Sequence, residues 1–283
     1  MNINNALDEI KGNSVTAEYA KEGDYYGFDG LLRCGKCDMP KEMMIDVLDE
    51  RHRVHIPCKC EETERAEASE EQQRKERYEK ASEMRTAGFH DQKLRGWTFD
   101  VDDGSNARLS KVAHRYVETF EKRKREGKGL LLYGPVGTGK TFMSACIANA
   151  LIEKGYPCMV TNFRRIISDL EKHRFSGQRE CLDKLNEYAL IVIDDMGTES
   201  YTQREADMIF NIVDARSRSG KPVIVTTNLS AEELTNPSEV TRKRIYSRLL
   251  EMCYPVKVEG QDRRRANARS GYQELKSQLE PAT

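Results

Sequence analysis

The octapeptide Gly134-Pro135-Val136-Gly137-Thr138-Gly139-Lys140-Thr141 constrains this chain more than any other stretch. It reads G-x-x-x-x-G-K-T. It stands between an apolar run, Gly129-Leu130-Leu131-Leu132-Tyr133, and a helix-like run from Phe142 to Leu151. A strand that passes through a glycine-rich loop into a helix is the context in which this pattern binds phosphate. The glycines let backbone N–H groups wrap a polyphosphate. The Lys140 ammonium can then reach the β- and γ-phosphates, and the Thr141 hydroxyl suits Mg²⁺. The helix N-terminus adds positive partial charge where the anion would sit.

A second motif answers the first. Ala189-Leu190-Ile191-Val192-Ile193 is an apolar run that ends in Asp194-Asp195. This is the pattern of a buried parallel strand delivering carboxylates at its C-terminal edge, a Walker B motif. Asp194 is the candidate to hold Mg²⁺ and Asp195 the candidate to polarise an attacking water, with Glu199 as the alternative base. Pro222-Val223-Ile224-Val225-Thr226-Thr227-Asn228 reads as another strand. Its terminal Asn228 is suited to orient a water or a phosphate oxygen between the two motifs. Cys158-Met159-Val160-Thr161 and Tyr254-Pro255-Val256-Lys257-Val258 supply two further strands. Three- and four-residue apolar spacing predicts helices over 106–126 and 203–218, with a shorter one carrying Ile166, Ile167 and Leu170. The single tryptophan, Trp97, is expected at the edge of this domain.

The N-terminal part carries different chemistry. Cys34-Gly35-Lys36-Cys37 and Cys58-Lys59-Cys60 form two close pairs, C-x₂-C and C-x-C. Four thiolates so spaced can make a closed tetrahedral cage for Zn²⁺. Gly35 suits a tight knuckle, and Ile45, Val47, Val54 and Ile56 suit a small hairpin between the pairs. His52 and His55 read as surface residues, and Cys146, Cys158, Cys181 and Cys253 as small apolar residues. Residues 1–22 read as a short helix or a lead-in. From 61 to 88 the chain is mostly Glu, Lys, Arg and Gln, a charged helical linker without an apolar seam. The expected layout is a zinc-binding, partner-binding domain over 1–60, the linker 61–88, a nucleotide-binding domain over 89–272 and a tail over 273–283.

Composition removes several classes. The 283 residues are 33% charged and 38% hydrophobic, so the core is modest and the surface large. A net charge of −1 gives no global basic field, so any nucleic-acid contact must be a local patch. No run of about 18 apolar residues predicts a membrane span. The N-terminus has no basic region followed by an apolar stretch, so a cytoplasmic protein is expected, with eight cysteines serving as thiols or metal ligands.

Together the phosphate loop, Ile-Asp-Asp-Met-Gly and Thr-Thr-Asn-Leu resemble the AAA+ ATPases over about residues 90–272. Within them they resemble the DnaC/DnaI helicase loaders and their phage relatives, close also to the IstB transposition helpers. The resemblance implies an α/β P-loop domain with a parallel five-stranded sheet in order 5-1-4-3-2. It implies an oligomer in which Arg248, or else Arg244, acts as a finger on a neighbour's γ-phosphate. Arg264, within Arg263-Arg264-Arg265, falls where the family keeps a second sensor arginine. Tyr201, Thr202 and Arg204 fall in the loop that faces single-stranded DNA. The N-terminal segment resembles the part of such loaders that binds the replicative hexameric helicase. The implied function is ATP-dependent loading of that helicase onto single-stranded DNA. The alternatives are an IstB-like helper of a transposase and an ATP-gated DNA-binding adaptor with little turnover.

Overall fold

The computed structural model describes residues 19–173, 177–197 and 201–263, with Tyr272, Lys276 and Leu279. Most of the N-terminal lead-in and of the tail lie outside these residues. The chain divides into two compact units, Met1–Glu76 and Arg77–Thr283, and the division falls inside the helix Lys59–Gly88.

The first unit is built from short strands. β1 (Tyr25–Tyr26) pairs with β2 (Leu32–Arg33), and β3 (Glu42–Val47) with β4 (Glu50–His55), both antiparallel. Val47 pairs with Glu50 across the two-residue turn Leu48-Asp49, whose φ values are +53° and +65°. Two left-handed residues are what a type I′ hairpin turn requires, and here neither is glycine.

The second unit is a parallel sheet of β5 (Gly129–Tyr133), β6 (Cys158–Thr161), β7 (Leu190–Met196), β8 (Val223–Thr227) and β9 (Cys253–Lys257), in the order β6-β7-β8-β5-β9. Counted along this unit the order is 5-1-4-3-2, as the family resemblance implies. Alternation along each strand sends side chains to two cores, which is why the strands read as continuous apolar runs. Leu130, Leu132, Leu190, Val192 and Ile224 face Leu109, Met143, Ile147 and Leu151. Leu131, Ile191, Ile193, Val223 and Val225 face Phe163, Ile167, Ile209, Val213 and Leu249. Each such buried aliphatic side chain contributes about 1.5–3 kcal/mol relative to exposure.

Two helices differ from expectation. The periodic stretch 106–126 breaks into Ala107–Glu118 and Phe120–Glu126. At the break, the Thr119 hydroxyl donates to the Arg115 carbonyl at 2.7 Å. A threonine that bonds back to the i−4 carbonyl competes with the helix ladder and bends it. The charged helix Lys59–Gly88 is exposed along most of its length, but its last turns belong to the second unit. Ala81 is buried there, and Gly88 lies so close to the Cys158 carbonyl that a Cβ would stand 2.0 Å from it.

Charge is also buried. Arg216, 3% exposed, ends the helix Gln203–Arg218 beneath the sheet. Its guanidinium donates to the carbonyls of Pro222 at 2.8 Å and Tyr188 at 3.1 Å, with longer contacts to Leu185 and Ala189. Burial pulls its pKa down to about 10, still well above neutrality. This one side chain satisfies the turns that feed β7 and β8. Arg216→Met keeps the stem but orphans those carbonyls. It is expected to lower stability in urea unfolding by about 3 kcal/mol. A loss under about 0.5 kcal/mol would mean that water replaces the guanidinium.

Candidate functional site

The phosphate loop connects β5 to the helix Lys140–Glu153. Gly137 has φ +79°, and a Cβ there would stand 2.0 Å from Asp262 Oδ1, so only glycine fits. The helix begins after Gly139 with no side-chain cap. The segment after β9 returns to this loop, where the Arg263 N–H donates to the Gly137 carbonyl at 3.0 Å. The Lys140 ammonium, 6% exposed, donates to the Gly134 and Pro135 carbonyls at 2.8 and 2.6 Å. Those carbonyls hold it against the loop that its charge must serve.

The two acids stand beside the loop because β7 is bulged. Ile193 pairs with Val225 and Met196 with Thr227, so Asp194 and Asp195 together oppose the single residue Thr226. Asp195 takes φ +59°. A bulge of this kind re-aims side chains that simple alternation would send to opposite faces. Asp194 Oδ1 accepts the Thr141 hydroxyl at 2.9 Å and also the Thr226 hydroxyl. Asp195 Oδ1 accepts from Asn228 Nδ2 at 2.9 Å. Asp194, Asp195, Asn228, Lys140 and Thr141 are thus brought to one cleft, as expected from the sequence. Thr226 was not foreseen, since a buried strand threonine carries no pattern of its own.

The cleft holds about 780 Å³ and has a polar and an apolar end. Trp97, Val101 and Phe142 line the apolar end, with the Trp97 and Phe142 rings 5.7 Å apart. Trp97 is therefore a wall of the cleft. Asn149, 1% exposed, fixes that wall by donating to the Leu94 and Trp97 carbonyls at 2.8 and 2.9 Å, while it accepts from Arg85 Nε at 2.8 Å. A flat apolar end joined to a glycine cradle with a lysine, a threonine and two acids has the donor set for a base and a Mg²⁺-bound polyphosphate.

The arginines divide. Arg263 lines the cleft, packs over Phe142 at 5.5 Å and pairs with Asp103, while Arg264 and Arg265 lie outside the described residues. Arg248 does not line its own chain's cleft and is held by Asp214 at 3.1 Å and Glu251 at 2.9 Å. Arg244 lies 4.0 Å over the Phe210 ring. In the segment expected to face DNA, Tyr201 is half-buried against the second core. Thr202 caps the helix Gln203–Arg218 through a reciprocal bond with Glu205, and Arg204 is exposed, 3.9 Å from Glu171. Glu199 lies outside the described residues.

In the first unit the Sγ atoms of Cys34, Cys37, Cys58 and Cys60 lie within 4.8 Å of one another, close enough to share a metal ion. The first pair sits on a knuckle in which the Cys34 N–H donates to the Met39 carbonyl and the Asp38 N–H to the Cys34 carbonyl, each at 2.9 Å. Gly35 is required by contact, not by its torsion, since a Cβ there would stand 2.0 Å from the Gly23 carbonyl. A hydrogen bond from the Met39 backbone leads in drawing the Cys37 thiol down to about 7. The hydrogen bond with Cys37 pushes Cys60 up to about 12. Cys37 is thus drawn toward the thiolate, the form that binds a metal ion.

A buried ion cluster supports this cage. Lys41, 1% exposed, donates to Asp24 at 2.6 Å, Glu61 at 2.8 Å and the Tyr19 carbonyl at 2.8 Å. Burial works to raise the Asp24 carboxyl, but bonds from Lys41 and from the Lys21 and Gly35 backbone outweigh it and bring it down to about 2. Burial likewise works against the Lys41 charge, and its two carboxylates reverse that and hold it above the ordinary lysine range.

Residues 61–271 match the profile of the IstB-like ATP binding protein family. The replicative helicase loader DnaI of Bacillus subtilis (strain 168) is 34% identical over 189 residues, 61% of this chain and 60% of that protein. An insertion-sequence ATP-binding protein of Mycobacterium tuberculosis (strain H37Rv) is 27% identical over 142 residues, 47% of this chain and 55% of that protein. The chain thus spans 55–60% of the length of these relatives. A crystal structure of DnaI has a TM-score of 0.50 at 25% identity, over 62% of this chain and 94% of that one. Among the described residues no helix is long and apolar enough to cross a membrane.

The matched region, 61–271, leaves out the thiol cage and all of its ion cluster but Glu61. Lys41→Met strands two buried carboxylates and is expected to destabilise the first unit by about 3 kcal/mol. Asp24 is depressed in the folded state, so its contribution is complete above its ordinary pKa of 3.8 and is lost as pH falls toward about 2. Lys41 is raised, so its contribution persists up to the ordinary lysine range and fails only above it. The stability gap between wild type and variant should be flat from pH 5 to 9 and close below about pH 4. A gap that does not change with acid would refute the ion-cluster account.

Proposed function

Because the chain belongs to the IstB-like ATP-binding protein family, we propose that it is an ATPase that loads a replicative DNA helicase onto single-stranded DNA. The observation that carries this reading is the 34% identity to a replicative helicase loader over 189 residues. In it, residues Gly134 to Thr141 wrap the phosphates and Lys140 neutralises their charge. Thr141 and Asp194 would hold Mg²⁺, which would supply charge neutralisation to the polyphosphate. Asp195 takes the proton of the attacking water, and Asn228 holds Asp195 in place. Arg248 of a neighbouring copy completes the site, which makes self-association part of the cycle. Arg264 is the proposed second sensor, with Arg263 beside it in the cleft.

The DNA reading rests on Tyr201, Thr202 and Arg204, of which Thr202 and Arg204 are exposed and Arg204 alone carries charge. A single exposed arginine suits phosphate contact that becomes strong only when several copies line up. The thiol cage of Cys34, Cys37, Cys58 and Cys60 would hold Zn²⁺ as a closed structural site, and the unit around it would grip the helicase.

The test combines binding, turnover and loading with the full chain and its cognate hexameric helicase. The expected results are a stable complex, ATP hydrolysis, and stimulated unwinding of forked DNA coated with single-strand-binding protein. Asp195→Asn should cut hydrolysis by about 10²–10⁴-fold while nucleotide still binds. Lys140→Ala should weaken binding and abolish loading. Hydrolysis unchanged in both variants would refute the site. A second reading, an ATPase helper of a transposase, is supported by the 27% identity to an insertion-sequence ATP-binding protein. Stimulated strand transfer without helicase binding would favour it, and nucleotide binding with negligible turnover would favour an ATP-gated adaptor.

Metal analysis should find about one Zn²⁺ per chain, lost when Cys34 and Cys37 become serine, with loss of structure in the first unit. A folded, metal-free first unit would overturn the zinc assignment.

A further inference from the structure

One buried hydroxyl on β8 touches both acids of the cleft. Thr226 is 1% exposed. Its Oγ1 donates to Asp194 Oδ1 and accepts the backbone N–H of Asp195 at 2.9 Å. A threonine hydroxyl has one proton and two lone pairs. The Asp195 amide takes a lone pair, so the proton is committed to Asp194. The Thr141 proton goes to the same carboxylate oxygen at 2.9 Å, which leaves the Thr141 oxygen lone pairs for a cation.

The bond to the Asp195 amide matters as much. Asp195 sits at φ +59°, a conformation that an L side chain rarely adopts unless its surroundings hold it there. The bulge has displaced its N–H from the regular β7–β8 ladder, and the Thr226 oxygen stands in for the missing carbonyl. The next residues on β8 finish the stitching. The Thr227 hydroxyl donates to the Met196 carbonyl at 2.6 Å, and Asn228 donates to the Asp195 carboxylate at 2.9 Å.

We propose that Thr226 is a positioning residue for ATP hydrolysis, orienting the Asp194 carboxylate toward Mg²⁺ and, through the Asp195 backbone, setting where the Asp195 carboxylate stands. This rests on the ATPase reading above. It differs from a packing role in a way that two variants separate. Thr226→Val keeps the shape and removes the hydroxyl, whereas Thr226→Ser keeps the hydroxyl and removes a methyl. A packing residue tolerates valine better than serine in an interior this close-packed. A positioning residue tolerates serine better than valine.

The experiment uses the full chain. Three quantities are read for each variant: the Mg²⁺ concentration for half-maximal binding of a fluorescent ATP analogue, kcat and KM for ATP, and the melting temperature. Thr226→Val should raise the Mg²⁺ requirement about tenfold and lower kcat about 10–100-fold, with KM within about threefold. Thr226→Ser should stay within about threefold of wild type in all of them. Thr226→Ala repeats the loss of the hydroxyl if valine is not accommodated. Valine and alanine variants with wild-type Mg²⁺ requirement and kcat, or a serine variant worse than valine, would overturn the proposal. Wild-type protein that binds the analogue with Mg²⁺ but does not turn over would sink the ATPase reading, and the Mg²⁺ shift would still decide the role of Thr226.

Discussion

A single carboxylate oxygen, Asp194 Oδ1, ties the second unit together at the place where its chemistry would occur. It accepts the hydroxyl of Thr141 from the helix that follows β5 and the hydroxyl of Thr226 from β8, while it is itself carried by β7. Three elements distant in sequence therefore converge on one atom. A parallel sheet buried on both faces can afford little backbone irregularity, since every displaced N–H must find another acceptor. The bulge at Asp194-Asp195 is such an irregularity, and it survives because β8 offers hydroxyls where the ladder fails. Val225 and Thr226 alternate between the second core and the cleft, so the strand that supports the bulge is also one that anchors the core.

Both units bury a cation, and they balance it in opposite ways. Arg216 is surrounded by carbonyl dipoles, which spread the satisfaction over several turns and leave its charge uncompensated enough that its pKa falls. Lys41 meets two carboxylates, which overcompensate and raise it. The difference follows from scale. The second unit has two apolar cores to offset the desolvation of Arg216. The first has few buried apolar side chains, Leu32 among them, and relies on charge pairing and on its four thiols. Small domains with thin cores commonly need such staples, and a metal is one of them.

Much of the second unit was legible because its signals are local. A strand buried on both faces is a continuous apolar run, and a glycine-rich loop before a helix is written in consecutive residues. Hence the strands at 129–133 and 158–161 coincide with those observed, and the others shift by a few residues at their ends. The helix break at Thr119 was not legible, since an amphipathic spacing continues across it and only the side-chain bond to Arg115 marks the change. The helix Gln178–Leu185 was missed for a related reason. It buries no residue fully and leaves only a weak apolar stripe.

The site separates in the same way. Lys140, Thr141, Asp194, Asp195 and Asn228 were legible because each lies at the end of a strand or the start of a helix, where the topology must bring side chains to one sheet edge. Arg263, Thr226 and Asn149 were not, because their roles depend on what returns in three dimensions. Arg263 reaches the loop, through its backbone bond to Gly137 and its side chain beside Gly139, only after the chain has passed through all five strands. In a run of three arginines, sequence can say that a cation returns to the phosphate loop but not which side chain enters the cleft. The Val258 N–H bonding to the Tyr133 carbonyl ties the returning segment to the sheet edge, and among the described residues Arg263 is the arginine of that run that lines the cleft. The phosphate loop and its arginine are therefore specified at different levels, the first by eight adjacent residues and the second by the edge of the sheet.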